Sequence, residues 1–125
     1  MSVLYFERVR ERISELRWLI KRESVDVEWD EDADVGMIGG NIIFKDGSVL
    51  HFKEVILGGE RHYRYHYMND EDTLICRWDT APHHKEVSSF PFHIHLPRGV
   101  EESKEIDLIF ALNKIEQLVV EHIDL

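Results

Sequence analysis

The chain has 125 residues, enough for one domain with a real core and too few for several. Its 43% hydrophobic and 32% charged content describes a folded chain and excludes a disordered one. A net charge of −10 argues against a broad nucleic-acid-binding face, and a single cysteine, Cys76, excludes a disulfide framework or a cysteine zinc knuckle.

The N-terminal stretch repeats Phe6, Val9, Ile13, Leu16 and Ile20 at helical spacing, which predicts an amphipathic helix over residues 3–22. "VDVEW" alternates as a strand should, and the acidic "DEDAD" after it reads as a solvated turn. It lacks the glycine and distal glutamate of a calcium loop. "GMIGGNIIF" and "VLHFKEVIL" flank Asp46-Gly47, a strong hairpin signal. "RHYRYHYM" and "TLICRWD" form a second hairpin, and "SSFPFHIHL" adds a short strand that Pro91 confines to an edge or a strand start. Residues 101–122 read as a second helix with Ile106, Ile109, Phe110, Leu112, Ile115 and Val119 on its apolar side. The expected fold is α+β: an antiparallel meander of about five or six strands with N-terminal and C-terminal helices packed on one face. No apolar run approaches the ~20 residues of a membrane helix. The charged N-terminus does not read as a signal peptide, so the cytoplasm is the expected compartment.

The informative stretch is "RWDTAPHHKEVSSFPFHIH", residues 77–95. Residues 60–98 hold six of the eight histidines and carry 6 acidic against 5 basic side chains, so a phosphate can approach here while the remaining surface repels it. An even-numbered turn in the second hairpin would set Tyr63 opposite Trp78 and Tyr65 opposite Cys76, giving an apolar face. His62, Arg64, His66, Arg77 and Asp79 would then share the other face, with Arg64 opposite Arg77. Like charges placed so are destabilising unless a carboxylate or a bound anion lies between them. His93 and His95 point the same way on a strand, and His83 and His84 lie in a proline-led loop that must turn back to meet them. Two chemistries fit such a set. Histidines serve as paired acid and base, or His93, His95 and one of His83 or His84 hold a transition metal.

"YRYHYMNDEDTLICRWDTAPHHKEVSSFPFHIH" resembles the TumE-like toxins of prokaryotic toxin–antitoxin systems. The family pattern is a Tyr-x-Tyr-His-Tyr strand, then Arg-Tyr-Asp-x-Ala-Pro-His-His, then Phe-Pro-His-His-x-His. Tyr63, Tyr65, His66, Tyr67, Arg77, Asp79, Ala81, Pro82, His83, His84, Phe90, Pro91, His93 and His95 match it. Trp78 replaces a tyrosine, and Phe92 replaces the first histidine of the last motif. The resemblance covers roughly residues 61–96, and residues 1–125 read as a single domain of this kind. It implies a toxin whose partner is a small antitoxin.

The expected activity is that of an endoribonuclease working without a cofactor. One of His83 or His84 and one of His93 or His95 would act as base and acid on the RNA, with His66 nearby. Arg77, helped by Arg64 and Lys85, would stabilise phosphate charge. Asp79 would orient a histidine, and Tyr65 or Phe92 would stack a base if exposed. The alternatives are a zinc- or manganese-dependent hydrolase and a non-enzymatic interaction module. The sequence leaves room for a homodimer.

Overall fold

Short turns between consecutive strands dictate an antiparallel meander, and the computed structural model, which describes residues 2–123, has one. Helix α1 spans Ser2–Glu15, followed by strands β1 Ile20–Asp30, β2 Val35–Phe44, β3 Val49–Leu57, β4 Glu60–Met68 and β5 Leu74–Asp79. Strands β6 His93–Leu96 and β7 Gly99–Glu102 complete a seven-stranded sheet in chain order, and helix α2 is Leu108–His122. The predicted α+β class and terminal helices are present; the sheet is larger than expected because both helices are shorter.

The reasons are local. The amide of Leu16 is shared between the carbonyls of Arg12 and Ile13, a tight turn over Arg17–Leu19 follows, and Lys45 N takes the carbonyl of Leu19 at 2.8 Å. That bond draws Ile20 into β1 instead of a sixth helical turn. At the other end, Asp107 is the N-cap, its Oδ1 accepting from Phe110 N at 2.8 Å. The helix therefore starts at Leu108 and leaves Gly99–Glu102 free to pair with β6.

The β4–β5 register corrects the sequence reading. Asn69 Oδ1 accepts from the amides of Glu71 and Thr73, Asp72 takes φ +61°, and a bulge follows Tyr67. Tyr65 consequently faces Trp78, His66 faces Arg77, and Arg64 faces Asp79. The predicted Arg64–Arg77 opposition does not occur. The offset from the expected register is two residues, so every side chain keeps its predicted face while its neighbours change.

Both helices pack on one face. Phe6, Val9, Ile13 and Leu16 of α1 and Leu108, Leu112, Ile115 and Val119 of α2 close over Ile38, Ile42, Leu50, Phe52, Tyr65 and Tyr67. Arg12 Nη2 joins the helices through Glu116 at 2.6 Å. Gly40 is required where β1 crosses close, since a Cβ there would lie 2.0 Å from the Ser24 carbonyl oxygen. Cys76 is buried and burial pushes its thiol up to about 12, so it acts as a small packing residue.

One carboxylate lies in this core. Glu54 is fully buried, and Tyr5 and Tyr65 both donate hydroxyls to its Oε1 while Arg61 Nη1 reaches Oε2 at 3.2 Å. Arg61 Nη2 continues to Ile106 O at 2.8 Å and to Glu105 at 2.9 Å. Tyr65 is thus a core residue whose hydroxyl is committed to Glu54. It is unavailable to stack a base, which overturns the substrate-binding role expected of it.

Candidate active site

On the face away from the helices, the register sets polar side chains in rows. One row crosses β2 to β6 as Asn41, His51, His66, Arg77 and His95. The next, displaced by two residues, crosses β3 to β7 as Lys53, Arg64, Asp79, His93 and Glu102. Residues i and i+2 share a face and adjacent strands lie about 4.8 Å apart, so the rows make one continuous patch. A cleft of about 750 Å³ opens on its β2–β4 side, lined by Asn41, His51, Lys53, His62, Arg64 and His66.

The segment 80–92 folds back over the β5–β6 end of the patch. Its return begins where Ala81 N donates to Asp79 Oδ1 at 3.0 Å and Thr80 N to Tyr63 O at 3.1 Å. This carries the His84 ring to 5.1 Å from that of His93 and 5.2 Å from that of His95, which are themselves 4.8 Å apart. One nitrogen from each ring lies within 4.8 Å of the other two.

Asp79 is only 5% exposed and holds the centre. Its Oδ2 accepts from Arg77 Nε at 3.1 Å and lies 3.5 Å from His95 Nε2, and its Oδ1 lies 2.7 Å from His93 Nε2. That last approach is close without hydrogen-bond alignment, and His93 Nε2 is buried with no bonded partner. His66 Nδ1 is likewise buried and unpartnered. Burial first, then the charge of Arg77, lowers the pKa of both His66 and His95 below the ordinary histidine value. For His95, Asp79 pulls the other way.

Of the residues singled out in the sequence, His66, Arg77, Asp79, His84, His93 and His95 come together, and Arg64 lies beside them opposite Asp79. His83 and Lys85 are exposed on the returning segment, and His83 is not part of the histidine cluster. Phe92 is half-buried, with one side packed against the core. Asn41, His51 and Lys53 were not anticipated. His51 and Lys53 occupy the polar phase of "VLHFKEVIL"; that alternation was visible, but the strand pairing that brings it to His66 was not.

Among the described residues no helix is long and apolar enough to cross a membrane. No curated protein and no solved structure matches the chain. A family model described as Toxin TumE matches residues 7–123, nearly the whole length and all of the polar patch. The chain therefore belongs to the TumE toxin family: it is the toxin component of a toxin–antitoxin system, with a cognate antitoxin as its partner.

Proposed function

We propose that the protein arrests growth as a metal-independent endoribonuclease whose site is the row His66–Arg77–His95. The observation that carries this reading is the position of Arg77. Its two cross-strand neighbours are both histidines, one on β4 and one on β6. The guanidinium spends Nε on Asp79, and its two outer nitrogens have no hydrogen bond among the described residues. They are left to grip a phosphate bidentately.

With a phosphate on Arg77, one ring lies on each side of it. One of His66 and His95 takes the proton from the ribose 2′-hydroxyl, whose oxygen attacks phosphorus. The other gives a proton to the departing 5′-oxygen. The products are a 2′,3′-cyclic phosphate and a 5′-hydroxyl. The bound phosphate offsets the Arg77 charge, which favours protonation of the ring that serves as acid. Lys53 and Arg64 border the neighbouring cleft and would hold the strand on either side of the scissile bond. On β1 the same face carries Asp26 and Glu28, so RNA would be repelled there.

The test is purified protein with RNA in excess EDTA, followed by mapping of the ends. Cleavage with 2′,3′-cyclic phosphate ends is expected. RNA left intact in EDTA but cut after addition of zinc or manganese would overturn the mechanism in favour of a metal-bound hydroxide. RNA intact under both conditions would favour a toxin that acts by binding a protein.

A further inference from the structure

We infer that His84, His93 and His95, with Asp79 beside them, form a binding site for a zinc-class divalent transition-metal ion. The three rings come from a returning loop and a strand, and one nitrogen of each lies within 4.8 Å of the others. The inference goes beyond cleavage: it shares His95 with that reading but rests on the geometry of the three rings, which stands whether or not RNA is cut.

The state of His93 is the strongest argument. Its Nδ1 lies 2.9 Å from the carbonyl oxygen of Pro91. A carbonyl only accepts, so Nδ1 carries a proton, and in the neutral ring Nε2 offers a lone pair. That Nε2 is buried, has no hydrogen-bond partner, and stands 2.7 Å from a carboxylate oxygen of Asp79. The neutral ring and the carboxylate repel one another at this distance unless positive charge lies between them. A metal ion bound by Nε2 and drawn by the carboxylate supplies that charge, as a proton on Nε2 would, and the two further rings of His84 and His95 favour the metal.

His84 is arranged in the same manner. Its Nδ1 pairs with Glu86 Oε1 at 3.1 Å, which directs Nε2 away from that carboxylate. Metal-ligating histidines characteristically give their other ring nitrogen to a carboxylate or a backbone carbonyl. His84 and His93 have one partner of each kind. The donor set is three imidazoles and one carboxylate, with no thiolate. That suits zinc and its neighbours, whereas calcium and magnesium take oxygen donors. The positive charge of Arg77 is already matched by its ion pair with Asp79. Nitrogens sharing one zinc lie roughly 3.3 Å apart for bonds of about 2.05 Å. His84, on a surface segment, is the ligand free to close that difference.

The test uses tag-free protein and zinc alone, read by competition with a chromophoric chelator, with cobalt(II) as a spectroscopic probe. One ion per chain is expected, and cobalt should give the intense visible bands of a tetrahedral site. Glu86→Gln should weaken zinc roughly 10-fold, as loss of an orienting partner does, and His84→Ala by more than about 100-fold. His84 lies on a surface loop, so circular dichroism of that variant should match wild type. Absence of stoichiometric zinc in the wild type, or zinc affinity unchanged in a folded His84→Ala protein, would overturn the site. No RNA enters this measurement, so its failure leaves the cleavage reading intact, and the EDTA experiment leaves this one intact.

Discussion

Asp79 Oδ2 and Arg77 Nε, two residues apart on β5, form an ion pair of 3.1 Å on the open face of the sheet, with the carboxylate side chain only 7% exposed. The same carboxylate accepts from Ala81 N and so also anchors the returning segment. Asp79→Ala would leave a half-buried guanidinium and an amide without partners. Because Arg77 retains some solvent, the expected loss is about 2 kcal/mol, below the 3–5 kcal/mol of a fully buried pair. Urea denaturation measures it, and an unchanged midpoint would show that the pair contributes nothing to the fold.

In the proposed mechanism Arg77 meets the substrate phosphate. Arg77→Ala should abolish growth arrest on expression without antitoxin, with soluble yield retained. Arg77→Lys should fail to restore full activity, since an ammonium lacks the planar fork. Growth arrest of wild-type strength from Arg77→Ala would remove the residue from the mechanism.

His66 and His95 should titrate below 6.5 in the folded protein, with burial the first cause and Arg77 the second. Arg77→Gln should move both upward, which NMR of the ring protons reads directly. The linkage has a definite sign. Folded rings bind protons less readily than unfolded ones, so these groups contribute nothing above 6.5 and cost stability as pH falls below it toward their folded values. The rate profile of free enzyme on RNA should accordingly peak on the acid side of 6.5. Ring titrations above that value would contradict the geometry.

Glu54 belongs to the core and lies on the opposite face of the sheet from the proposed site. Glu54→Ala would leave two core tyrosine hydroxyls without their acceptor and take one of the partners of the partly exposed Arg61, a loss of about 3 kcal/mol. Tyr65→Phe removes one charge-assisted bond and should cost about 1.5–3 kcal/mol. Both are measured by denaturant unfolding. Tyr65→Phe protein that folds normally yet fails to cut RNA would return Tyr65 to the site.

If zinc occupies the histidine cluster, it takes a lone pair of His95 that the proposed cleavage uses. One equivalent of zinc added to metal-free enzyme in chelator-free buffer should therefore quench the expected cleavage, and excess EDTA should restore it. Faster cleavage with zinc would contradict this exclusion.

The order of strands, the two faces and most of the polar patch were legible because period-two alternation fixes which way each side chain points. Alternation alone puts Tyr65 and His66 on opposite faces, and the structure agrees. What alternation leaves open is the sliding of one strand along another in steps of two. The Asx turn at Asn69 and the bulge after Tyr67 choose the step, and so decide whether Arg64 meets Arg77 or Asp79. Non-local pairing was equally hidden. Nothing adjacent to His66 in sequence announces His51, and the separation of the histidine pairs by a returning loop concealed that His84, not His83, closes the cluster. The buried Glu54 was missed because it stands on the apolar phase of β3, where only tyrosines and an arginine from distant segments make a carboxylate tolerable.

Strands β6 and β7 have four residues each and form one margin of the sheet, and β7 pairs with β6 alone. The fully buried interior that the helices seal draws on β2 to β5, while Ile94 and Leu96 of β6 pack against it only in part. Fraying of this margin therefore withdraws His93 and His95 while the remainder stays folded, because the opening of short peripheral strands costs far less than global unfolding. If the proposed site acts through these histidines, competence and foldedness are separable quantities in this molecule, and on warming the loss of the first should run ahead of the second.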